Sequence, residues 1–225
     1  DQVSVSLANN KILDRIDLKA LPGEVTVIIG PNGSGKSTLM RAMSGDIPYE
    51  GKILLNGHDI QTLKPWDLAS KRAVLPQKSI LAFPFTVEEV VHIGLRNGTG
   101  AQTTKIIYDA LSSVGLSAYA KRKYAELSGG EQQRVQLARV LAQVWAPYEM
   151  GQARWIFLDE PVSSLDIAHQ IDVINIAKDY ARSGGGVVAI MHDLNLTSMI
   201  ADKMAILHRG KTLCQGAPKD VMTDN

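Results

Sequence analysis
Apolar positions along the chain follow three patterns. The first is a set of short, unbroken runs: Val25-Thr-Val-Ile-Ile29, Trp155-Ile-Phe-Leu158 and Val187–Met191. Runs this short and rich in β-branched residues read as strands buried on both faces, as in a parallel sheet. The second is a helical spacing that dominates from Gln77 to about Gly151. Thr86–Leu95 carries Val87, Val90, Val91 and Leu95 at that spacing, and Thr103–Val114 and Ser128–Val144 follow. The third is a loose alternation over Gln2–Leu18, broken at Asn9-Asn10, which predicts a hairpin or two edge strands.

Turn residues punctuate the rest. Pro22-Gly23 precedes the first buried run, and a glycine-rich loop, Gly30–Gly35, follows it and opens a helix running to about Gly45. Gly51–Asn56 reads as a strand ending in the Asn56-Gly57 turn, and another strand surrounds Arg72–Pro76. A helix separates the runs at 155–158 and 187–191, and Met204–Leu207 with Thr212–Cys214 predicts a closing hairpin around Arg209-Gly210. The sum is an α/β core interrupted by a mostly helical insertion. One domain over 1–225 is expected, with core and β subdomain over about 1–79 and 151–225 and the helical subdomain over about 80–150. There is no internal repeat or low-complexity tract.

Composition changes this picture little. The 225 residues are 45% apolar and 21% charged, which is ordinary for a globular chain and excludes a disordered one. With 24 Lys+Arg against 23 Asp+Glu the net charge is +1, which argues against a strongly basic nucleic-acid binder. The apolar runs are too short to span a bilayer, and no signal peptide opens the chain, which begins with Asp1. Cys214 is the single cysteine, so no internal disulfide can form; it reads as a half-buried strand residue.

Chemistry concentrates at three places. Gly30-Pro-Asn-Gly-Ser-Gly-Lys36-Ser37 matches G-x-x-x-x-G-K-[ST], after a strand and at a helix start. Its glycines let backbone amides wrap phosphate oxygens, and the helix N-terminus adds partial positive charge. Gly30, Asn32, Gly33, Ser34, Gly35, Lys36, Ser37 and Thr38 are therefore the candidate nucleotide-binding residues. Lys36 is expected at the β- and γ-phosphates, Ser37 at Mg²⁺ and Thr38 on the α-phosphate side. Asp159 and Glu160 end the run from Trp155; successive strand residues face opposite ways, so the two carboxylates take different tasks. Asp159 is placed to orient Mg²⁺ and Glu160 to act as general base toward water.

The third place is Leu127-Ser-Gly-Gly-Glu-Gln-Gln-Arg134. Ser128 and Glu131 form an S-x-x-E capping box, which accounts for both residues structurally. It does not account for Gly129 and Gly130 in the first helical turn, where each costs about 1 kcal/mol of propensity. Exposed amides there suit a second anion contact, and two such helix ends suggest that each chain supplies half of a shared site.

With these residues in order, the chain resembles the ATP-binding subunit of an ABC transporter. Gly30–Ser37 corresponds to Walker A, Trp155–Glu160 to Walker B with its catalytic glutamate, and Leu127–Arg134 to the signature LSGGQ in an LSGGE form. Gln77 falls at the Q-loop, Ser164-Leu165-Asp166 at the D-loop and His192 at the switch histidine. The resemblance covers nearly the whole chain. It implies a RecA-like P-loop NTPase core with an N-terminal antiparallel β subdomain and an inserted helical subdomain. It implies catalytic roles for Glu160, His192, Gln77 and Lys36, and Mg²⁺ held by Ser37, Gln77 and Asp159. It further implies that ATP is sandwiched in a head-to-tail dimer, where Ser128, Gly129, Gly130 and Glu131 face the partner's nucleotide and Asp166 signals between sites.

The implied setting is the cytoplasmic face of a bacterial inner membrane, peripheral to two transmembrane permease subunits and served indirectly by a periplasmic binding protein. Arg72-Ala-Val-Leu-Pro-Gln77, Phe83-Pro-Phe-Thr-Val-Glu88 and His192-Asp-Leu-Asn-Leu196 resemble importers of iron chelates, cobalamin and haem. The segment Ala142–Arg154 most resembles the haem (hemin) importers, with siderophore or cobalamin import as the alternatives. One departure concerns the base: the family often stacks adenine on an aromatic near Leu7, and no aromatic lies between residues 1 and 48. A soluble ABC-type ATPase of DNA repair or translation is the reading of another class. The short stretch from Gln77 to Ser128, with no room for long coiled-coil arms, disfavours it. A GTPase would need N-K-x-D downstream of the phosphate loop; the only Asn-Lys, Asn10-Lys11, lies upstream.

Overall fold
The computed structural model describes residues 1–8, 10–77, 81, 83–95 and 100–222. Asn9 and the expected subdomain boundary at residues 79–80 lie outside the described residues.

The chain opens with β1 (Val3–Leu7) and β2 (Asn10–Ile16), which pair antiparallel with Val3 opposite Ile16 and Val5 opposite Leu13. The buried run forms β3 (Val25–Ile29), and the loop behind it leads into α1 (Lys36–Met43). The strand expected over Gly51–Asn56 is shorter. Only β4 (Leu54–Leu55) forms, and it pairs with β5 (His58–Asp59) across the Asn56-Gly57 turn. α2 (Pro65–Lys71), with proline at its start, leads into β6 (Arg72–Leu75). Three helices follow: α3 (Val87–Gly94), α4 (Ala101–Ser113) and α5 (Gly129–Gln143).

A small hairpin, β7 (Tyr148–Glu149) and β8 (Gln152–Ala153), sits where helical spacing was expected to continue. Met150-Gly151 turns it, both with positive φ, and that local turn chemistry overrides the surrounding pattern. β9 (Trp155–Asp159), α6 (Ile167–Arg182), β10 (Gly186–Ile190) and α7 (Leu194–Ile200) follow. The hairpin of β11 (Lys203–His208) and β12 (Lys211–Gly216) and a short α8 (Pro218–Val221) close the described chain.

Six strands form the central sheet in the order β12-β11-β3-β10-β9-β6. All pair parallel except the β11–β12 hairpin. Period-two geometry splits β3, β9 and β10 between two cores. Val25, Val27, Ile156, Leu158, Val187 and Ala189 face one core, which includes Val90 of α3, Leu111 of α4, Leu137 of α5 and Ile174 of α6. Ile28, Trp155, Phe157, Val188 and Ile190 face the other, with Leu39 and Met40 of α1 and Leu13 of β2. Burial on both faces explains why these strands read as continuous apolar runs.

Side chains of α5 complete the packing. Arg139 Nη2 donates to the Val74 carbonyl at 3.2 Å, and Gln143 Nε2 donates to those of Ala69 and Arg72 at 2.9 and 3.0 Å. Among the described residues no helix is long and apolar enough to cross a membrane. Because β3, β6, β9 and β10 run the same way, their carboxyl ends lie on one edge. The loops carrying Gly30–Gly35, Gln77, Glu160 and His192 therefore emerge together, where open parallel sheets bind ligands.

Candidate nucleotide-hydrolysis site
The glycine-rich loop is held from behind by the β11–β12 turn. Gly210 N–H donates to the Ser34 carbonyl at 3.0 Å, and the Gly210 carbonyl accepts from Asp14 N–H at 2.8 Å. Gly30 has φ +150°, and a Cβ there would lie 2.1 Å from the Leu207 carbonyl oxygen. Gly35 caps α1 in the left-handed region, with φ +100° and no side-chain cap, which leaves the helix's first amides to an incoming group. Ser34 is buried, and its Oγ has no hydrogen-bond partner. Asn32 and Gly33 are exposed, while Thr38 is half-buried.

Lys36 folds back into the loop it belongs to. Its Nζ donates to the carbonyls of Gly30 at 2.8 Å and Pro31 at 3.0 Å. Burial lowers its pKa from the ordinary lysine value, and the charges of Glu160 and Asp159 oppose that shift. Ser37 Oγ lies 3.4 Å from Asp159 Oδ1, so the first turn of α1 and the end of β9 meet. Burial also raises the Asp159 pKa; the Ser37 hydroxyl opposes the rise and the Glu160 charge adds to it.

Glu160 is the meeting point of three strand ends. Gln77 Nε2, just beyond β6, donates to Glu160 Oε2 at 2.7 Å, and His192 Nε2, beyond β10, pairs with Glu160 Oε1. The Glu160 backbone is left-handed at φ +53°, and its N–H donates to the Ile190 carbonyl at 3.2 Å. Ser37 and Asp159 thus meet at the phosphate loop, with Glu160 next along the chain and joined to Gln77 and His192. An oxygen pair beside a phosphate cradle suits a hard divalent cation, and a carboxylate next to it suits proton removal from water.

The signature residues stand apart. Ser128 caps α5: its Oγ accepts from Glu131 N–H at 3.3 Å, while Glu131 Oε2 accepts from both Ser128 N–H and Oγ at 2.8 Å. Those bonds hold the Glu131 carboxyl below its usual range. Gly129 is exposed, and a Cβ on it would meet nothing within 4 Å. Among the described residues no hydrogen bond or ion pair joins Ser128–Glu131 to the Gly30–Thr38 loop of the same chain. Asp166 caps α6, accepting from His169 N–H at 2.9 Å and pairing with His169 Nδ1 at 2.8 Å. It therefore points its carboxylate at its own helix.

One residue that sequence reasoning did not single out reaches the site. Gln133, in the second turn of α5, donates its Nε2 to the Glu160 carbonyl at 3.2 Å. Its sequence signal is the polar run Gln132-Gln133-Arg134 ahead of buried Val135, in which each side chain donates to a backbone carbonyl.

A family model described as ABC transporter matches residues 13–163. The hemin import ATP-binding protein HmuV of Jannaschia sp. (strain CCS1) is 58% identical over 100% of this chain and 83% of its own length. The protein of the same name from Rhizobium meliloti (strain 1021) is 53% identical, over 99% of this chain and 86% of its own. Among solved structures, an ATP-binding subunit of an ABC transporter superposes with a TM-score of 0.86 at 22% identity, covering 98% of this chain and 89% of that one. A bacterial Atm1-family ABC exporter with ATP bound superposes with a TM-score of 0.85 at 26% identity, covering 99% of this chain and 39% of that one. The fold is that of the P-loop ABC ATPases, and the chain belongs to the ABC transporter family.

Proposed function
We propose that the protein is the ATP-binding and ATP-hydrolysing subunit of an ABC importer that takes up hemin. The observation that carries the hydrolytic part is the convergence of Gln77 and His192 on the Glu160 carboxylate beside the Ser37–Asp159 pair. The hemin assignment is supported by relatives at 58% identity over essentially the full chain.

In this reading the Lys36 ammonium leaves the Gly30 and Pro31 carbonyls for the β- and γ-phosphate oxygens of ATP, and the open amides of α1 take the remaining negative charge. The Ser37 hydroxyl and the Asp159 carboxylate are oxygen donors of the kind Mg²⁺ takes, and Gln77 can add a third. Bound there, Mg²⁺ supplies positive charge to the phosphates. Glu160 removes a proton from the water that attacks the γ-phosphorus, giving ADP and phosphate. His192 holds the γ-phosphate and Gln77 orients the water, so nucleotide entry redistributes the contacts that now tie both to Glu160.

The second half of each site comes from another copy. Ser128, Gly129, Gly130 and Glu131 make no bond to their own phosphate loop among the described residues, and Gly129 is open to solvent. A head-to-tail dimer brings them to the partner's γ-phosphate, with Asp166 at the junction. The helices over 87–143 carry the resulting motion to two membrane-spanning permease subunits at the cytoplasmic face of the inner membrane, fed by a periplasmic binding protein.

The test is ATP hydrolysis by the assembled transporter, with the binding protein loaded in turn with hemin, a ferric siderophore and cobalamin. Stimulation several-fold by hemin alone is expected. Equal stimulation by a siderophore overturns the hemin assignment. The Glu160→Gln variant is expected to lose turnover by about 10²–10⁴-fold while retaining ATP affinity, measured by steady-state kinetics and nucleotide binding.

A further inference from the structure
Along its length α5 is fastened to the sheet by side chains that reach backbone carbonyls. Arg139 and Gln143 hold β6 and the end of α2. Gln133 holds Glu160 instead.

Glu160 needs holding. A left-handed backbone at a residue with a side chain persists only where its surroundings impose it, and here φ is +53°. Its carbonyl accepts from Ser163 N–H at 3.4 Å, Ser163 Oγ at 3.2 Å and Gln133 Nε2 at 3.2 Å. Ser163 belongs to the same turn. Gln133 comes from another element, so it fixes the peptide against the body of the molecule. Its other amide atom, Oε1, is buried with no hydrogen-bond partner. Turning the amide over would set two oxygens against each other. A methionine would fill the same space without leaving a buried acceptor unmet, so the glutamine is costly for packing alone.

The same helix start touches the same segment a second time. A Cβ on Gly130 would lie 3.2 Å from the Ser164 carbonyl oxygen and 3.3 Å from Leu165 Cδ2. The first two turns of α5 and the segment 160–165 therefore lie against each other, with little room for a side chain at Gly130, and the Gln133–Glu160 hydrogen bond joins them.

We infer that Gln133 is a positioning residue for hydrolysis. By fixing the Glu160 carbonyl it sets the direction of the Glu160 carboxylate, and it links that direction to the signature turn at the start of α5. Engagement of that turn by the partner's nucleotide is then felt at this chain's own base, coupling the two sites of the dimer. The inference rests on the reading of Glu160 as base and of Ser128–Gly130 as the partner's contact.

The experiment compares the assembled transporter carrying Gln133→Met, Gln133→Glu or Glu160→Gln with its parent, measuring kcat, KM for ATP, Hill coefficient and Tm. Gln133→Met removes the donor at constant size, and kcat is expected to fall about tenfold with KM within about twofold, Tm undiminished and the Hill coefficient lowered. Gln133→Glu sets an acceptor against the Glu160 carbonyl and is expected to lose more. Values of kcat within about twofold of the parent for both variants, with Glu160→Gln inert, overturn the inference and leave the base assignment standing. Loss of kcat and ATP affinity together with a lowered Tm also overturns it, as the mark of a structural role. Full turnover by Glu160→Gln is a separate result, which removes the base assignment itself.

Discussion
The helices α1 and α5 both carry glycines where they begin, and they use them differently. At the start of α1 the glycines serve the chain's own fold: a Cβ on Gly30 would lie 2.1 Å from the Leu207 carbonyl oxygen, and Gly35 adopts φ +100° where a Cβ would strike Leu13 at 2.6 Å. That helix has no side-chain cap, and its first residue, Lys36, is buried. At the start of α5 the helix is fully capped by Ser128 and Glu131, and nothing in the chain excludes a side chain at Gly129. The first loop is shaped by contacts within the chain. The second carries no such internal constraint at Gly129, which is what the proposed contact with a partner's nucleotide requires.

Substitutions can break that contrast. Gly30→Ala forces both a clash and a disfavoured backbone, so a loss of about 3 kcal/mol is expected, or a fall in Tm of about 6–12 °C, with loss of nucleotide binding. Calorimetry with and without ATP checks this; an unchanged Tm removes the claim that the loop's shape depends on Gly30. Gly129→Ala should move stability the other way, up by as much as about 1 kcal/mol, because the helix gains a better former. Yet hydrolysis by the dimer should drop about tenfold or more as the methyl group enters the partner's site. Stability and turnover rising together would return Gly129 to ordinary helix chemistry.

A smaller effect concerns Asp159, whose carboxyl burial holds above its ordinary range. A pKa raised on folding contributes stability that is present below the unfolded value and lost as pH rises through the folded value. At neutral pH the nucleotide-free chain therefore carries a cost that Asp159→Asn removes. The variant is expected to melt higher than the parent at pH 7. The gain should shrink as pH falls toward 4. A variant that melts lower at pH 7 contradicts a net desolvation cost at this carboxylate.

The legible parts of the fold were those where a pattern persists over enough residues. β3, β9 and β10 are each five residues buried throughout, and α3 buries Val87, Val90, Val91 and Gly94 at helical spacing. The elements not seen are too short to show a period. α2 buries only Leu68, and α7 only Thr197 and Ile200, so each is defined by its first residues, Pro65 and the capping Asp193, rather than by a stripe. Cys214, expected to be half-buried, is exposed, as is its neighbour Leu213, because β12 lies at the end of the sheet order, outside both cores. At the site, Lys36, Asp159 and Glu160 stood out because motif spacing and strand ends coincide. Gln133 did not, since its partner is a backbone carbonyl 27 residues away, and the polar run Gln132-Gln133-Arg134 does not say which carbonyl each side chain reaches.

β6 lies at the end of the sheet order, with β9 as its strand neighbour. An unpaired strand margin is an invitation to intermolecular β-pairing and hence to aggregation. The carbonyls of Arg72 and Val74, two residues apart and so on one side, are taken by Gln143 and Arg139. α5 thus acts as a surrogate neighbouring strand, sealing the margin with amide and guanidinium groups that no second chain can extend.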